Sequence, residues 1–176
     1  NLKCHILLER RVPDPEENYE QTGNVLLDQL FESSIEYRPS GLDMNTEAQK
    51  VCERLREQGD KPYFIPGGGS NEVGALGYVE CALELNFQMD HQSLIFDRLI
   101  HGTGSTGTQA GLVVGLEGTH ARLPVLGICV RQPRQKQIDA VHALVEKTTQ
   151  KLGIPEISIN AVDADDGYVG AGYGIP

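Results

Sequence analysis

Short, β-prone apolar runs alternate with helical segments along most of this chain. Clear examples are 62–66, 95–101 and 124–130, each followed by a segment in which apolar residues recur at helical spacing. A strand that re-enters its sheet after a helix makes a right-handed crossover, so the strands lie parallel and helices cover both faces. The sequence therefore predicts an α/β fold with mostly parallel strands. Ligands of such sheets bind at the carboxyl ends of the strands.

The same patterns predict the remaining elements. The best amphipathic helix is 43–58, which Gly59 ends. The segment 71–88 is mostly apolar and predicts a helix packed on both sides, with Tyr78 in the core. Further helices are expected at 24–32, from near Thr108 and at 134–152, and further strands at 3–9, 34–38 and 156–160.

The charge balance of the chain is strongly acidic. A formal net charge of −10 argues against a nucleic-acid backbone or an anionic membrane surface as a partner. No run of about 18 apolar residues is present, so no membrane span is predicted. The five histidines lack metal-ligand spacing, so no metal is expected.

Cysteine usage bears on the cellular compartment. Cys4, Cys52, Cys81 and Cys129 are far apart and form no CxxC pair. Each lies in an apolar or helical context, which predicts buried, reduced thiols rather than disulfides or a metal site. This pattern favours a cytoplasmic protein.

The segment HGTGSTGTQAG at 101–111 places hydroxyl residues among glycines, between a predicted strand and a predicted helix. Gly102, Gly104 and Gly107 satisfy the G-x-G-x-x-G pattern, so a dinucleotide site is the first hypothesis. An NAD site expects an acidic residue after the next strand, where this chain has Arg131. Arginine there would suit NADP, so a non-catalytic, NADP-binding Rossmann domain is one alternative.

The hydroxyl residues of this loop favour a different ligand. A phosphate monoester is close to a dianion with three free oxygens, and it needs several donors at one place. Backbone amides at a helix N-terminus supply some of them. Thr103, Ser105, Thr106 and Thr108 can supply the rest. The loop therefore suits pyridoxal phosphate, flavin mononucleotide or a phosphorylated metabolite. The alternative is a turn that only reverses the chain and binds no ligand.

A second glycine-rich turn, PGGGSN at 66–71, also follows a predicted strand. Its place at the carboxyl end of a strand makes it a second candidate for ligand contact. The run Gly67–Gly69 fits a tight strand exit that lets the two lobes approach each other. An anion-binding turn is the alternative.

Three motifs make the sequence recognisable. They are KPYFIPGGGSNEVGALGYVECALEL at 61–85, HGTGSTGTQAGLVVGL at 101–116 and DGYVGAGYGIP at 166–176. In this order they resemble the group that contains D-cysteine desulfhydrase, L-cysteate sulfo-lyase and 1-aminocyclopropane-1-carboxylate (ACC) deaminase. These are pyridoxal-phosphate enzymes of the tryptophan-synthase β fold type. The resemblance covers essentially the whole chain.

The resemblance implies a lyase that eliminates a leaving group from a small sulfur-containing amino acid. The products would be pyruvate, ammonia, and either sulfite from L-cysteate or sulfide from D-cysteine. GGSN at 68–71 and GSTGTQAG at 104–111 resemble the desulfhydrase and sulfo-lyase branch. The motifs that are closer to the L-cysteate sulfo-lyases are LKCHILLE, GNVLLD, DMN and PGGGSN. ACC deaminase is the alternative activity within the group.

The resemblance also implies an architecture of three-layer, doubly wound, mostly parallel sheets in two lobes. Residues 1–90 would form most of the smaller lobe, and 91–176 would form part of the larger lobe, which binds the cofactor phosphate. A tyrosine that lines the family's substrate pocket corresponds to Tyr173, and the family usually forms homodimers. The family's phosphate cup corresponds to Gly104, Ser105, Thr106, Gly107 and Thr108.

Two parts of the family's active site have no counterpart in this sequence. The Schiff-base lysine and the Ser-Asn pair that binds the substrate carboxylate lie in motifs upstream of the stretch that resembles residue 1. Neither motif occurs here, and the chain has no initiator Met, so we interpret it as an internal fragment that is inactive alone. The lysines that are present are expected to be solvated charges: Lys3, Lys50, Lys61, Lys136, Lys147 and Lys151.

Overall fold

The computed structural model describes residues 2–12 and 18–170. The chain folds into two compact units, Asn1–Phe64 and Ile65–Pro176. The division into two lobes near residue 90, which the resemblance implied, stays a prediction.

The first unit is built on a parallel pair of strands. These are β1 (His5–Arg10) and β2 (Ser34–Pro39). Helix α1 (Gly23–Leu30) connects the two strands, and α2 (Met44–Glu57) follows β2. The order strand, helix, strand, helix agrees with the predicted alternation.

Helix α2 has a well-defined start and one buried face. The carboxylate of Asp43 accepts the N–H groups of Asn45 and Thr46 at 3.2 and 3.3 Å, so it satisfies two donors that have no partner within the helix. The buried side chains of α2 are Ala48, Val51 and Cys52.

Glu36 on β2 is the centre of an ion cluster in the first unit. Its carboxylate accepts hydrogen bonds from Arg54, from Arg38 at 3.1 Å and from His5 at 2.7 Å. The Arg54 hydrogen bond has the largest effect, and together these donors lower the pKa of Glu36 to about 2 despite the opposing effect of burial. The cluster joins both strands to α2.

As far as it is described, up to residue 170, the second unit contains a three-stranded sheet and three α-helices. In chain order the elements are α3 (Leu76–Gln92), β3 (Leu99–Thr103), α4 (Gly107–Gly118), β4 (Val125–Cys129), α5 (Arg134–Leu152) and β5 (Asp163–Asp165). The strands are parallel in the order β3, β4, β5. Each connection between neighbouring strands therefore crosses over through a helix, as the sequence predicts.

Among the described residues, helices cover one face of this sheet. Burial alternates along β4: Val125 and Cys129 are buried, whereas Leu126 and Ile128 are only partly buried. Ile100 on β3, in register with Leu126, is 62% exposed. The second helical layer expected of a three-layer fold is therefore not among the residues described.

Helices α3 and α4 pack against each other at very short range. A Cβ at Gly111 would lie 2.3 Å from the carbonyl oxygen of Ala75, and a Cβ at Gly115 would lie 2.5 Å from the Cβ of Ala82. No side chain fits at either position, so glycine sets the distance between the helices.

Two expectations about burial are wrong. Helix α3 packs on one side only, and on its other side Tyr78 and Phe87 are 42% and 69% exposed. The apolar run is therefore not evidence of two-sided packing, and Tyr78 is not in the core. The four thiols are free, but only Cys52 and Cys129 are buried, whereas Cys4 and Cys81 are exposed.

Two expected strands are absent from the described residues. The run 62–66 has no neighbouring strand among these residues, and Tyr63 within it is 70% exposed. High β propensity alone does not make a strand when no partner is available for backbone pairing. The segment 156–160 turns instead, because Ser158 Oγ accepts the N–H of Asn160 at 3.2 Å and starts a short 3₁₀ helix. The last strand is β5.

Candidate functional site

The candidate site lies at the carboxyl edge of the second unit's sheet. β3, β4 and β5 are parallel, so the segments that follow them meet at one edge. The loop 104–106 leads from β3 into α4, and 130–133 leads from β4 into α5. A Cβ at Gly104 would lie 2.6 Å from Val130 Cγ2, so the first loop packs directly on the second. After β5, Asp166 accepts the N–H of Arg134 at 2.8 Å.

Three hydroxyl groups stand at the start of α4. Ser105 is exposed, and Thr106 and Thr108 are half-buried. Within the part of the chain that is described, none of these hydroxyls makes a hydrogen bond. Three donors that have no protein acceptor are thus available on one turn of the backbone.

Backbone amides add to this set of donors. The first helical hydrogen bond of α4 runs from the N–H of Ala110 to Thr106 O at 3.0 Å. The N–H groups of Ser105, Thr106, Thr108 and Gln109 have no acceptor among the described residues. The first turn of α4 carries no acidic side chain of its own to offset the positive end of the helix dipole.

Thr103 does not belong to this hydroxyl set. Its side chain is 1% exposed and lies in the core, where Oγ1 accepts a hydrogen bond from Gln137 Nε2 at 2.9 Å. The expectation that Thr103 contributes a donor to the loop is therefore wrong. The physical reason is the alternation of strand side chains, which points Thr103 to the helix-covered face.

The glycine-rich turn at 66–71 is compact and internally bonded. The N–H of Gly69 donates to Pro66 O at 2.8 Å, and the N–H of Asn71 donates to Gly69 O at 2.9 Å. Gly68 has a φ of 70°, a conformation that favours glycine. The turn is followed by Asn71 Oδ1 accepting the N–H of Gly74 at 2.8 Å, which sets the chain into α3.

This turn meets the hydroxyl loop. A Cβ at Gly68 would lie 2.4 Å from Ser105 Oγ, and a Cβ at Gly107 would lie 3.1 Å from Ser70 Oγ. The N–H of Gly107 donates to Ser70 Oγ at 3.1 Å. The turn at Gly67–Gly69 packs tightly against the start of α4. No strand precedes it among the described residues, so it is not the strand exit that was expected, and the approach of the two lobes there stays a prediction. Sequence reasoning did not identify Ser70 as part of the site.

Two buried glutamines support the loop from below. Gln109 is 0% exposed, and its Nε2 donates to the carbonyl oxygen of Asp163 on β5 at 2.7 Å. Gln137 on α5 is 1% exposed and binds Thr103, the last residue of β3. Both ends of the loop are thereby tied to neighbouring elements. The sequence offers no signal for these roles, because a glutamine on a helix is usually exposed.

His101 lies on β3 just before the loop but is not one of its donors. Its Nδ1 lies 2.8 Å from the carbonyl oxygen of Gly102, and its Nε2 is buried without a partner in the described part of the chain. Burial lowers the pKa of His101. The ring is therefore neutral at pH 7.

The remaining residues with predicted roles are Tyr173 and the six lysines. Tyr173 lies outside the described residues. The lysines are all exposed, as predicted for solvated charges, and Lys3 and Lys50 pair with Asp60 and Glu47. None of them is a buried amine of the kind that holds a carbonyl cofactor.

Neither a metal-binding cluster nor a membrane-spanning helix is present in the described residues. No group of three or more His, Cys, Asp or Glu side chains there could hold a metal ion. None of the helices in the described ranges combines the length and apolarity that crossing a bilayer requires.

Comparison with known proteins places this geometry in a family. A D-cysteine desulfhydrase of Serratia proteamaculans (strain 568) is 35% identical over 175 residues, which are 99% of this chain and 52% of that protein. A crystal structure of an ACC deaminase homologue superposes with a TM-score of 0.71 at 24% identity, covering 89% of this chain and 54% of that chain. The chain thus spans about half the length of the relatives it matches.

The structural match confirms the fold class that the resemblance implied, the tryptophan-synthase β type of α/β fold. The family model that matches residues 1–176 is described as "Pyridoxal-phosphate dependent enzyme". The chain therefore belongs to the pyridoxal-phosphate dependent enzyme family.

Proposed function

We propose that the start of α4 binds the phosphate of pyridoxal phosphate and that the whole protein is a carbon–sulfur lyase. The residues of the phosphate site are Gly104, Ser105, Thr106, Gly107 and Thr108. The observation that carries the proposal is the set of unpartnered donors there, in a chain that matches the family over residues 1–176.

The donor set fits a phosphate monoester. Ser105, Thr106 and Thr108 supply three hydroxyls, and the first turn of α4 supplies amide groups that have no acceptor within the described chain. A dianion with three terminal oxygens accepts several such hydrogen bonds at once, and the helix dipole stabilises its charge. Gly104 and Gly107 keep the backbone free of side chains where it packs most closely.

The dinucleotide alternative has less support. A bridging pyrophosphate is bound mainly by backbone amides, so it would leave the three hydroxyls without a hydrogen-bond acceptor. The matching family is pyridoxal-phosphate dependent. The loop therefore serves a single terminal phosphate better than an NADP molecule.

In this proposal the chain's own residues act as an anchor. The loop residues hold the phosphate, and Gln109 and Gln137 hold the loop, so the bound ring keeps one orientation toward the substrate. When bound, the cofactor supplies an electron sink for the carbanion at the substrate α-carbon. The resemblance further supports a role for Tyr173, whose phenol would position the substrate or assist proton transfer near the leaving group.

The substrate class is a small sulfur-containing amino acid. The similarity to a D-cysteine desulfhydrase supports D-cysteine, with sulfide as the leaving group. The motifs LKCHILLE, GNVLLD, DMN and PGGGSN favour L-cysteate, with sulfite as the leaving group. ACC is the third candidate, because the solved relative is an ACC deaminase homologue.

The cofactor site is tested by titrating the apo form of the whole protein with pyridoxal phosphate and following absorbance. Thr106→Ala and Thr108→Ala should each weaken cofactor binding by about 1–3 kcal/mol, since each removes a hydrogen bond to a charged group. Thr119→Ala is the matched control, because Thr119 lies at the other end of α4 and its hydroxyl donates to Gly115 O. Unchanged affinity in both test variants would refute the assignment.

The reaction is tested by supplying D-cysteine, L-cysteate and ACC to the whole protein. The 2-oxo acid product, sulfide and sulfite are measured separately. Sulfide with D-cysteine or sulfite with L-cysteate supports the lyase proposal and names the leaving group. A 2-oxo acid from ACC alone would assign the deaminase activity instead.

We also propose a homodimeric, cytoplasmic protein. The free thiols of Cys4, Cys52, Cys81 and Cys129 support a reducing compartment. Burial raises the pKa of the Cys129 thiol, so this group stays protonated and inert. Light scattering of the whole protein tests the dimer.

A further inference from the structure

We infer that Ser70 is a further residue of the phosphate site and that its hydroxyl donates a hydrogen bond to the bound phosphate. This inference rests on the proposed function of the α4 loop. It adds a side chain from the glycine-rich turn at 66–71, which precedes the loop by more than thirty residues, since Ser70 and Gly107 are separated by 37 positions.

The first argument is the hydrogen bond that Ser70 already makes. Ser70 Oγ accepts the N–H of Gly107, the first residue of α4, at 3.1 Å. A serine hydroxyl has one donor and can accept a second hydrogen bond. The proton of Ser70 has no acceptor in the described part of the chain, so it is available to a ligand.

The second argument is the crowding around Ser70. A Cβ at Gly107 would lie 3.1 Å from Ser70 Oγ and 3.4 Å from Ser70 Cα, and a Cβ at Gly68 would lie 2.4 Å from Ser105 Oγ. The turn and the loop therefore pack against each other at two points, Ser70 on Gly107 and Gly68 on Ser105. Both points lie at the start of α4.

The third argument is that the turn holds Ser70 in place. Residues on both sides of Ser70 are bonded within the turn: Gly69 N–H to Pro66 O, and Asn71 N–H to Gly69 O. Gly74 is packed so closely that a Cβ there would lie 1.9 Å from Gly69 O. A donor held by such a turn loses little freedom when it binds a ligand.

Together these observations give Ser70 a relay role. The N–H of Gly107 donates to Ser70 Oγ, which polarises the hydroxyl and strengthens the bond that the hydroxyl donates in turn. The positive end of the α4 dipole thereby reaches the phosphate through a side chain as well as through the amides. The competing explanation is that Ser70 only occupies the N–H of Gly107 and must be displaced by the phosphate.

The experiment compares pyridoxal phosphate with pyridoxal, which lacks the phosphate. Both are titrated into the apo form of the whole protein with wild-type, Ser70→Ala and Ser158→Ala chains. Ser158 is the matched control, because its Oγ also accepts one backbone N–H, that of Asn160 at 3.2 Å, on the segment before β5. The ³¹P resonance of bound pyridoxal phosphate is recorded for each chain as a second readout.

Ser70→Ala should weaken binding of pyridoxal phosphate about tenfold to a hundredfold, as expected for a lost hydrogen bond to a charged group. Binding of pyridoxal should stay unchanged, and the ³¹P resonance should shift. Ser158→Ala should alter none of these. Unchanged or tighter binding of pyridoxal phosphate by Ser70→Ala would overturn the inference, and so would an equal loss for both ligands, which indicates a structural role alone.

The same titration separates the two proposals. A wild-type protein that binds pyridoxal phosphate and pyridoxal equally well has no phosphate site at α4, and the proposed function fails. A wild-type protein that prefers pyridoxal phosphate, together with a Ser70→Ala variant that keeps the full preference, overturns only the role of Ser70.

Discussion

Replacing Gly111 with alanine tests the close packing of α3 on α4. The new Cβ would lie 2.3 Å from Ala75 O and 2.5 Å from Tyr78 Cβ. Ordinary van der Waals contacts begin at 3.4 Å. The nearest blocking atom belongs to the backbone and cannot rotate away, so the helices must separate by about 1 Å. Overpacking of this kind costs about 1–3 kcal/mol.

A gain in helix propensity partly offsets this cost. Alanine is about 1 kcal/mol better than glycine inside a helix. We therefore expect Gly111→Ala to lower the free energy of unfolding by up to about 2 kcal/mol. Gly77→Ala is the matched control on α3, because a Cβ there meets nothing within 4 Å. That variant should gain about 0.5–1 kcal/mol.

The assay is urea unfolding of the whole protein, followed by circular dichroism. With a slope of about 2 kcal/mol per molar urea, the midpoint of Gly111→Ala should fall by up to about 1 M, while that of Gly77→Ala should rise slightly. Equal midpoints for the two variants would show that the helices are not held at the distance described, and the reasoning would be refuted.

Three further predictions concern other parts of the chain. Gln137→Leu leaves the buried hydroxyl of Thr103 without its partner and should lower the free energy of unfolding by about 1–3 kcal/mol. Adding Thr103→Val should recover part of that loss in a double-mutant cycle, and strict additivity would speak against the bond. The pKa of Glu36 is lowered from 4.5 to about 2 in the folded chain, so its stabilisation is present above pH ~4.5 and is lost as the pH falls toward 2. Glu36→Gln should flatten acid unfolding in that window, measured by circular dichroism, and an unaltered acid profile would count against the cluster. Tyr173→Phe should slow turnover while the cofactor is retained, and full activity would remove Tyr173 from the site.

The sequence predicted the features that depend on local patterns. Alternating strands and helices led to the parallel sheet, and the polarity of 104–108 marked the start of α4 as the candidate site. The error at Thr103 follows from treating the whole motif as one loop. Period-two alternation from Leu99 through His101 places Thr103 on the same strand face, inside the core.

The features that were missed depend on tertiary contacts. The run 62–66 has strong β propensity, but a strand also needs a neighbour, and no pattern within the run supplies one. Ser70 looked like a turn residue because its partner, the N–H of Gly107, is distant along the chain. Glutamines on helices are usually exposed, so the sequence does not reveal that Gln109 and Gln137 are buried against the sheet.

The bond between Ser70 and Gly107 has a consequence for the order of events during synthesis. The two residues are 37 positions apart, with all of α3 and β3 between them, so the contact can form only after the start of α4 has been synthesised. Bringing together residues this far apart also requires the intervening loop to close. A nascent chain that ends before α4 would therefore leave Ser70 Oγ without the N–H that it accepts in the folded unit.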